Sequence, residues 1–266
     1  MGDVPAHMEL RRRGGVSQIG KADLHIHSAA GDALASVADI LNYVEEETDL
    51  HLIAITDHDL LEGSLEAREL AAKGGYRFQV LVGMEVTTLE GHLLAYDIEE
   101  PIRMLLPLAQ ALEAVQEQGG FCVVPHPMSW LTISIGQRGI ARTLRGEGGN
   151  CLLGLEALNP SFAGRVSYQR ALEWNRKAFH LAELGGSDAH FLPQIGKAHT
   201  LFPGHTADDF RQALREHTTQ AAGQFFSWEE HLDLVPLAGQ QMLRSLVILP
   251  SRHIRRAFDS LLERRR

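Results

Sequence analysis

The sequence has little cysteine and no long hydrophobic run. Its two cysteines, Cys122 and Cys151, lie in or beside apolar segments. They therefore predict buried thiols rather than a disulfide or thiolate metal ligands. No uninterrupted apolar stretch is long enough to span a bilayer, and the N-terminus lacks the apolar core of a signal peptide. We therefore expect a soluble, cytoplasmic protein that does not associate with membranes.

Positive charge is scarce over most of the chain. The net charge is −9 over 266 residues, and the segment 244–266 carries seven arginines against Asp259 and Glu263. This tail is thus about +5, which leaves about −14 for the preceding part. Such an acidic body argues against binding extended nucleic acid over a broad surface. A small anionic substrate is still compatible with it, because bound cations would reverse the charge locally.

Strand-like apolar runs alternate with helix-like patterns through most of the chain. This alternation predicts an α/β domain, and seven or eight strands without a glycine-rich phosphate loop favour a closed or nearly closed barrel. Ser36 and Thr206 are the predicted N-caps of two helices. The predicted strands are 21–27, 52–56, 79–86, 92–96, 121–125, 154–158, 184–187 and 198–202, and the predicted helices are 37–48, 64–72, 103–118, 166–183 and 208–217.

The alternating pattern does not extend to the two ends of the chain, so three regions are predicted. Residues 1–20 form an N-terminal arm, residues 21–227 the barrel domain, and residues 228–266 a C-terminal helical extension. The last part of the extension has an amphipathic pattern with arginines on its polar face. We expect it to pack on the barrel or on a partner. The sequence leaves the oligomeric state open.

Histidines and carboxylates cluster beside the predicted strands. His25 and His27 are two residues apart on one strand and therefore face the same side of it. Imidazole and carboxylate ligands without thiolate predict Mn, Fe or Zn, with Mg a poorer match. Nine such ligands are enough for two or three divalent ions. The candidate metal ligands are His25, His27, Asp32, His58, Glu85, His92, His126, Asp188 and His190.

The order of these motifs closely resembles that of the PHP (polymerase and histidinol phosphatase) superfamily. HxH, an aspartate five residues on, TDH, GxE, GH, PHP and SDxH follow one another between residues 22 and 219. The resemblance implies a distorted (β/α)7 barrel with a trinuclear metal site at the C-terminal ends of the strands. It also implies how the metals share their ligands: His25, His27, Glu85 and Asp188 at one metal, Glu85, His92 and His126 at a second, and Asp32, His58 and His190 at the third.

The function implied by the resemblance is metal-dependent hydrolysis of phosphoesters. The substrate would be a small phosphomonoester, a nucleotide or an oligonucleotide, attacked in line by a hydroxide that bridges two metals. The chain departs from the family pattern at Ala33, where glycine is usual. The gap between His92 and His126 is also shorter than in the nucleotide phosphatase and RNA 5′-exonuclease members. The natural substrate therefore stays open.

Four further residues are candidates for supporting roles. Asp57 precedes a predicted ligand and is expected to orient an imidazole from outside the metal site. Arg138, Arg142 and Arg165 follow segments that begin above the site, so they are candidates for contacts with a substrate phosphate. The alternative for these arginines is an ordinary solvated surface.

Two other functions compete with the phosphoesterase hypothesis. An amidohydrolase-type barrel also begins with HxH, but it would normally supply a lysine that bridges the metals. The second alternative is a non-catalytic, metal-loaded scaffold that binds a partner or RNA through the arginine-rich tail.

Overall fold

A computed structural model describes residues 18–244. In this part of the chain, nine strands alternate with eight α-helices. The strands are β1 Ile19–Ile26, β2 Leu52–Ile55, β3 Gln79–Thr87, β4 His92–Tyr96, β5 Phe121–Val124, β6 Leu152–Leu158, β7 Ala182–Gly185, β8 Ala198–Pro203 and β9 Gln220–Gly223. The helices are α1 Val37–Glu47, α2 Glu62–Gly74, α3 Leu108–Glu117, α4 Gln137–Thr143, α5 Phe162–Arg165, α6 Tyr168–Trp174, α7 Ala207–Arg215 and α8 Trp228–Leu243.

The strands form one sheet that curls into a nearly closed barrel, which confirms the predicted fold class. Their order is β7-β6-β5-β4-β3-β2-β1-β8-β9, and β7 also packs against β8 and β9 at the seam. There the backbone N–H of Gly185 donates to Thr200 Oγ1 at 3.0 Å. A side-chain hydrogen bond thus links the two sides of the seam, where the strands are not paired through their backbones.

The strand directions differ from those of a regular parallel barrel. β4 follows β3 after the short turn 88–91, with no helix between them, so it runs antiparallel to both β3 and β5. β8 pairs antiparallel with β1, and β9 pairs antiparallel with β8. The sequence did not predict β9, because its four half-buried residues lack β-branched and aromatic side chains.

Apolar residues explain most of the elements. The four residues of β2 and the four of β5 are all buried, as expected for strands covered on both faces. Helix α1 buries Ile40, Leu41 and Val44 against the sheet, at the spacing of one helix face. Ser36 and Thr206 each cap a helix through a reciprocal capping box, as predicted.

Two predicted helices differ from the observed ones for local reasons. The helix predicted at 103–118 begins only at Leu108, with Pro107 as its N-cap residue. The helix predicted at 166–183 is divided into α6 and a π-helical turn, Asn175–Phe179. That turn ends at His180, whose φ is +54°, so the chain leaves the helix early and β7 begins at Ala182.

The described part of the C-terminal extension lies on the barrel. Helix α8 is joined to it by an ion pair between Lys197 Nζ and Glu230 Oε1 at 2.7 Å. Near its end, Arg244 Nη2 donates to the carbonyl of Ala29 at 2.7 Å. Most of the predicted arm and residues 245–266 of the extension, including its arginine-rich end, lie outside the described residues. Within residues 18–244, no helix combines the length and the hydropathy needed to cross a bilayer.

Candidate metal centre

The structure brings all nine predicted ligands to one end of the barrel. Parallel strands end at the same edge, which places side chains that follow β1, β2, β5 and β7 together. His92 is the first residue of β4 and still reaches this edge, because β4 runs in the opposite direction. The nine are His25 on β1, His27 directly after it, Asp32 in the next loop, His58 after β2, Glu85 on β3, His92 on β4, His126 after β5, and Asp188 and His190 after β7.

Glu85 lies at the centre of this group. Its side chain is buried, and its two carboxylate oxygens face different imidazoles. The distances from these oxygens to the nearest ring nitrogens run from 2.9 to 3.4 Å. One carboxylate thus contacts five histidines, which is the arrangement expected of a ligand shared between cations. Oε1 faces His92 and His126, and Oε2 faces His25, His27 and His58.

The donor atoms fall into three groups whose members lie within 4.8 Å of one another. One group has the ligands predicted for the first metal except Glu85. Another has all the ligands predicted for the third metal and also His27. The remaining group contains His58 where the prediction has His126, although His126 Nε2 is 3.3 Å from Glu85 Oε1. The groups are His25, His27 and Asp188; His27, Asp32, His58 and His190; and His58, Glu85 and His92.

The buried imidazole of His27 shows that these residues fit a cation. Both of its ring nitrogens are shielded from solvent, and neither makes a hydrogen bond. A buried ring nitrogen without a hydrogen bond is destabilising. Nε2 lies 3.3 Å from an oxygen of Asp188 and 3.4 Å from an oxygen of Glu85, an arrangement that fits a cation between the three side chains. The surrounding donors are nitrogen and oxygen atoms, the ligands preferred by Zn, Mn and Fe.

The electrostatics of the site favour ionised carboxylates and, at three of the candidate histidines, protonated imidazoles. Burial alone would raise the pKa of Glu85, but nearby His58 and His92 hold it well below its usual value. Asp188 behaves similarly, because His25 and His27 outweigh the effect of burial and lower its pKa. Burial lowers the pKa of His58 to about 4. At His25, His92 and His190 burial acts in the same direction, but nearby carboxylates outweigh it and raise the pKa, that of His190 to about 9. Ionised carboxylates and neutral imidazoles are the forms that bind metal, so cations entering the site would displace protons from these three rings.

Glu156 supports the site and was missed in the sequence. Its Oε1 lies 2.7 Å from His25 Nδ1, and its Oε2 accepts the backbone N–H of His126 at 2.9 Å. It is buried on β6, and a Cβ atom on Gly186 would lie 2.2 Å from its carboxylate. Only glycine allows this close approach. The signal available in the sequence was a lone acid inside the apolar run 154–158.

Asp57 does not have the predicted role of orienting an imidazole. Its Oδ1 accepts the backbone N–H of Ser28 at 2.6 Å, and its Oδ2 accepts the Ser28 hydroxyl at the same distance. Asp57 therefore fixes the backbone just after His27 and before the loop that carries Asp32. The imidazole contact that we expected of Asp57 is made by Glu156.

The three predicted phosphate-binding arginines are exposed or engaged elsewhere. Arg142 Nη2 pairs with Glu90 Oε1 at 2.9 Å, and the guanidinium of Arg165 stacks over Phe225 at 5.4 Å from the ring centroid. Arg138 is exposed on α4. The arginine that contacts a loop of the site is Arg244, through the carbonyl of Ala29. No pattern in the sequence distinguished Arg244 from its neighbours in the basic tail.

Two of the candidate ligands have strained backbones. His126 has a φ of +29° and Asp188 a φ of +53°, in the left-handed region that side chains with a Cβ avoid. Each such residue costs about 1–3 kcal/mol, and strain of this kind clusters at functional sites. The fold thus accepts a less stable backbone where it turns His126 towards Glu85 and Asp188 towards His25 and His27.

Sequence comparisons connect the chain to known proteins. The family model described as "PHP-associated" matches residues 168–219. An uncharacterised protein of Methanocaldococcus jannaschii is 33% identical over 129 residues, which cover 44% of this chain and 74% of that protein. A second uncharacterised protein of the same organism is 28% identical over 190 residues, covering 68% of this chain and 70% of the other.

Solved structures share the fold at low sequence identity. A two-domain protein from Bacteroides vulgatus, containing a predicted PHP-like metal-dependent phosphoesterase, has a TM-score of 0.62 and 21% identity, covering 80% of this chain and 69% of its own. The lesion-specific endonuclease PfuEndoQ from Pyrococcus furiosus has a TM-score of 0.52 and 15% identity, covering 82% of this chain and 66% of its own. The PHP-associated match and the shared fold agree with the resemblance to the PHP superfamily that the order of the motifs indicates.

Proposed function

We propose that the protein is a metal-dependent phosphoesterase that acts on a small phosphorylated substrate. The observation that carries the proposal is the buried Glu85 carboxylate, which is surrounded by five imidazoles at distances of 2.9–3.4 Å. A buried carboxylate among imidazoles is the expected lining of a cation site, and within it the ring nitrogens of His27 make no hydrogen bond. Structural neighbours that include PHP-like phosphoesterases support the same reaction class.

Two or three divalent ions would be held by the three groups of donors. Mn, Fe or Zn fits the six imidazoles and three carboxylates, and Mg fits less well. When bound, such ions neutralise the charge of a phosphoryl group, align it, and make water available as a nucleophile at neutral pH. Glu85 is placed to belong to more than one ion, because each of its oxygens faces a separate set of histidines.

Other side chains fix the imidazoles in place. Glu156 holds His25 through Nδ1, so the Nε2 atom of that ring is directed to Glu85 and Asp188. Ser134 Oγ holds His126 Nδ1 at 2.9 Å, and the backbone carbonyl of Asp188 holds His190 Nδ1 at 3.0 Å. These contacts orient the donor atoms before a substrate arrives, which reduces the reorganisation needed during the reaction.

The lysines argue against the amidohydrolase alternative. All four lysines of the sequence lie in the described part of the chain, and each pairs with a carboxylate outside the centre. None is therefore available as the metal-bridging lysine of that class. Their partners are Asp49 for Lys21, Glu69 for Lys73, Glu173 for Lys177 and Glu230 for Lys197.

The test is hydrolysis of p-nitrophenyl phosphate by protein stripped of metal and then reloaded with Mn²⁺, Fe²⁺ or Zn²⁺. We expect activity to disappear on stripping and to return with at least one metal, while elemental analysis reports two or three ions per chain. Glu85→Gln should abolish activity and lower the metal content. Glu99→Gln is the matched control, because Glu99 is exposed and pairs only with Arg68 among the contacts seen. Full activity in metal-free protein would refute the proposal.

A further inference from the structure

A cavity of about 370 Å³ opens beside the metal centre. Asp188 and His190, two of the candidate ligands, form part of its lining, so it is continuous with the site. Gln241 of α8 closes another part of the lining, and its Nε2 donates to Asp32 Oδ2 at 3.1 Å. The remaining lining is largely apolar and comes from Leu131, Phe162, Ala163, Phe191 and Phe226.

The polar groups in this cavity already have partners in the protein. Ser161 Oγ donates to Asn159 Oδ1 at 2.6 Å. Gln194 Oε1 accepts the backbone N–H groups of His190 and Phe191 at 2.9 and 3.1 Å. With Gln241 bound to Asp32, few hydrogen-bonding groups are left to receive a ligand. A ligand with many hydroxyls would therefore lose its water without gaining replacement bonds.

We propose that this cavity binds the leaving group of the substrate and selects a flat, apolar alcohol over a polyhydroxylated sugar. The inference rests on the proposed phosphoesterase function, because it assumes that the phosphoryl group lies at the metal centre. Three phenylalanines line the cavity, and aromatic rings pack favourably against an aromatic leaving group. The cavity has the size of a small-ligand site and holds one ring system beside the phosphoryl group.

The exposure of two residues at the rim supports this assignment. Phe162 is 47% exposed and Leu131 is 48% exposed, although both line the cavity next to the centre. Large apolar side chains that remain open to solvent beside an active site gain free energy when a ligand covers them. The loop after β5 and the segment after β6 thus present an apolar face towards the position of the substrate.

The experiment compares 2-phenylethyl phosphate with glucose 6-phosphate in the metal-loaded protein. Both are esters of primary alcohols, so their intrinsic reactivities are matched. We expect kcat/KM to be about tenfold or more higher for the phenylethyl ester. Phe162→Ala should raise KM for that ester about fivefold to tenfold with little change in kcat, and should raise KM for glucose 6-phosphate much less. Val166→Ala is the control, since Val166 is exposed one residue past α5 and does not line the cavity.

The outcomes separate this inference from the proposed function. Equal kcat/KM for the two esters, or an equal effect of Phe162→Ala on both, would overturn the leaving-group assignment and leave the phosphoesterase proposal intact. If neither ester nor p-nitrophenyl phosphate is hydrolysed by the metal-loaded protein, the phosphoesterase proposal fails. In that case, calorimetry can compare the affinities of 2-phenylethylphosphonate and glucose 6-phosphate, which tests the ligand preference of the cavity without turnover. Tighter binding of the phosphonate that is lost in Phe162→Ala supports the assignment, and equal binding refutes it.

Discussion

Six of the fourteen histidines surround Glu85 and its neighbouring carboxylates, and several of these six have a second contact that fixes the ring. Glu156 holds His25, and Ser134 holds His126. A histidine outside the centre, His199, binds only the carbonyl of Gly196 and faces no carboxylate cluster. At the scale of the residue, a candidate ligand is therefore recognised by the hydrogen-bond partner of its second ring nitrogen as much as by the sequence motif that contains it.

Replacing Glu156 tests this supporting contact. Glu156→Gln keeps the size of the side chain but removes the charge that polarises His25, so we expect metal affinity to fall about 10-fold to 100-fold. Competition with a fluorescent chelator measures this affinity directly. Glu99→Gln should leave it unchanged. If Glu156→Gln binds metal as tightly as the wild type, the contact is structural only.

At the scale of the element, the ends of helices and strands position the site. The turn 88–91 reverses the chain directly, so β4 enters the sheet antiparallel and delivers His92 at the same edge as the parallel strands. Helix α7 is held by its N-terminal capping box and by Arg211, which makes two hydrogen bonds of 2.6 Å to Asp97 at the end of β4. The helices thus fix the strands that carry the ligands.

The cap of α7 gives a prediction for stability. Thr206 Oγ1 accepts the backbone N–H of Asp209 at 3.2 Å. Thr206→Ala should lower the free energy of unfolding by about 1 kcal/mol, because an N-terminal N–H group loses its partner. Urea denaturation monitors the change, and Thr206→Ser should recover most of the loss. A Thr206→Ser variant as unstable as Thr206→Ala would show that the methyl group, not the cap, is responsible.

At the scale of the whole molecule, the candidate centre connects segments that are far apart in sequence. His25 and Asp188 are separated by most of the barrel domain, yet their side-chain atoms approach to 3.4 Å. A cation held by both would cross-link the first and seventh strands near the seam of the barrel. Metal binding should therefore stabilise the whole fold, because the unfolded chain cannot hold these ligands together.

Chelation tests this link between metal and stability. At a metal concentration about 100 times the Kd, binding contributes about 2.7 kcal/mol, so removal with EDTA should lower Tm by roughly 5–10 °C. His58→Ala should show a reduced shift, since His58 belongs to two of the donor groups. His199→Ala should keep the full shift, whatever its own Tm. An unchanged Tm on chelation of wild-type protein would contradict a metal cross-link.

The sequence by itself determined the fold class and the identity of the nine candidate ligands. Strand periodicity and the HxH spacing are local properties, and they are visible without knowledge of distant contacts. Ser36 and Thr206 were predicted as caps for the same reason, since a cap depends on a hydrogen bond three residues away. The two cysteines are buried thiols, as their apolar neighbours predicted.

Only the tertiary structure decided which residues support the centre. Glu156 contacts His25 across 131 positions, and Gln241 reaches Asp32 across 209. Contacts at such separations leave no periodic trace in a single sequence, because they depend on how the barrel closes. For the same reason, Asp57 was assigned the wrong contact, and the predicted arginines proved to be exposed or engaged elsewhere. The local sequence determines which side chains stand at the end of each strand. The closing of the sheet determines which other side chains they contact.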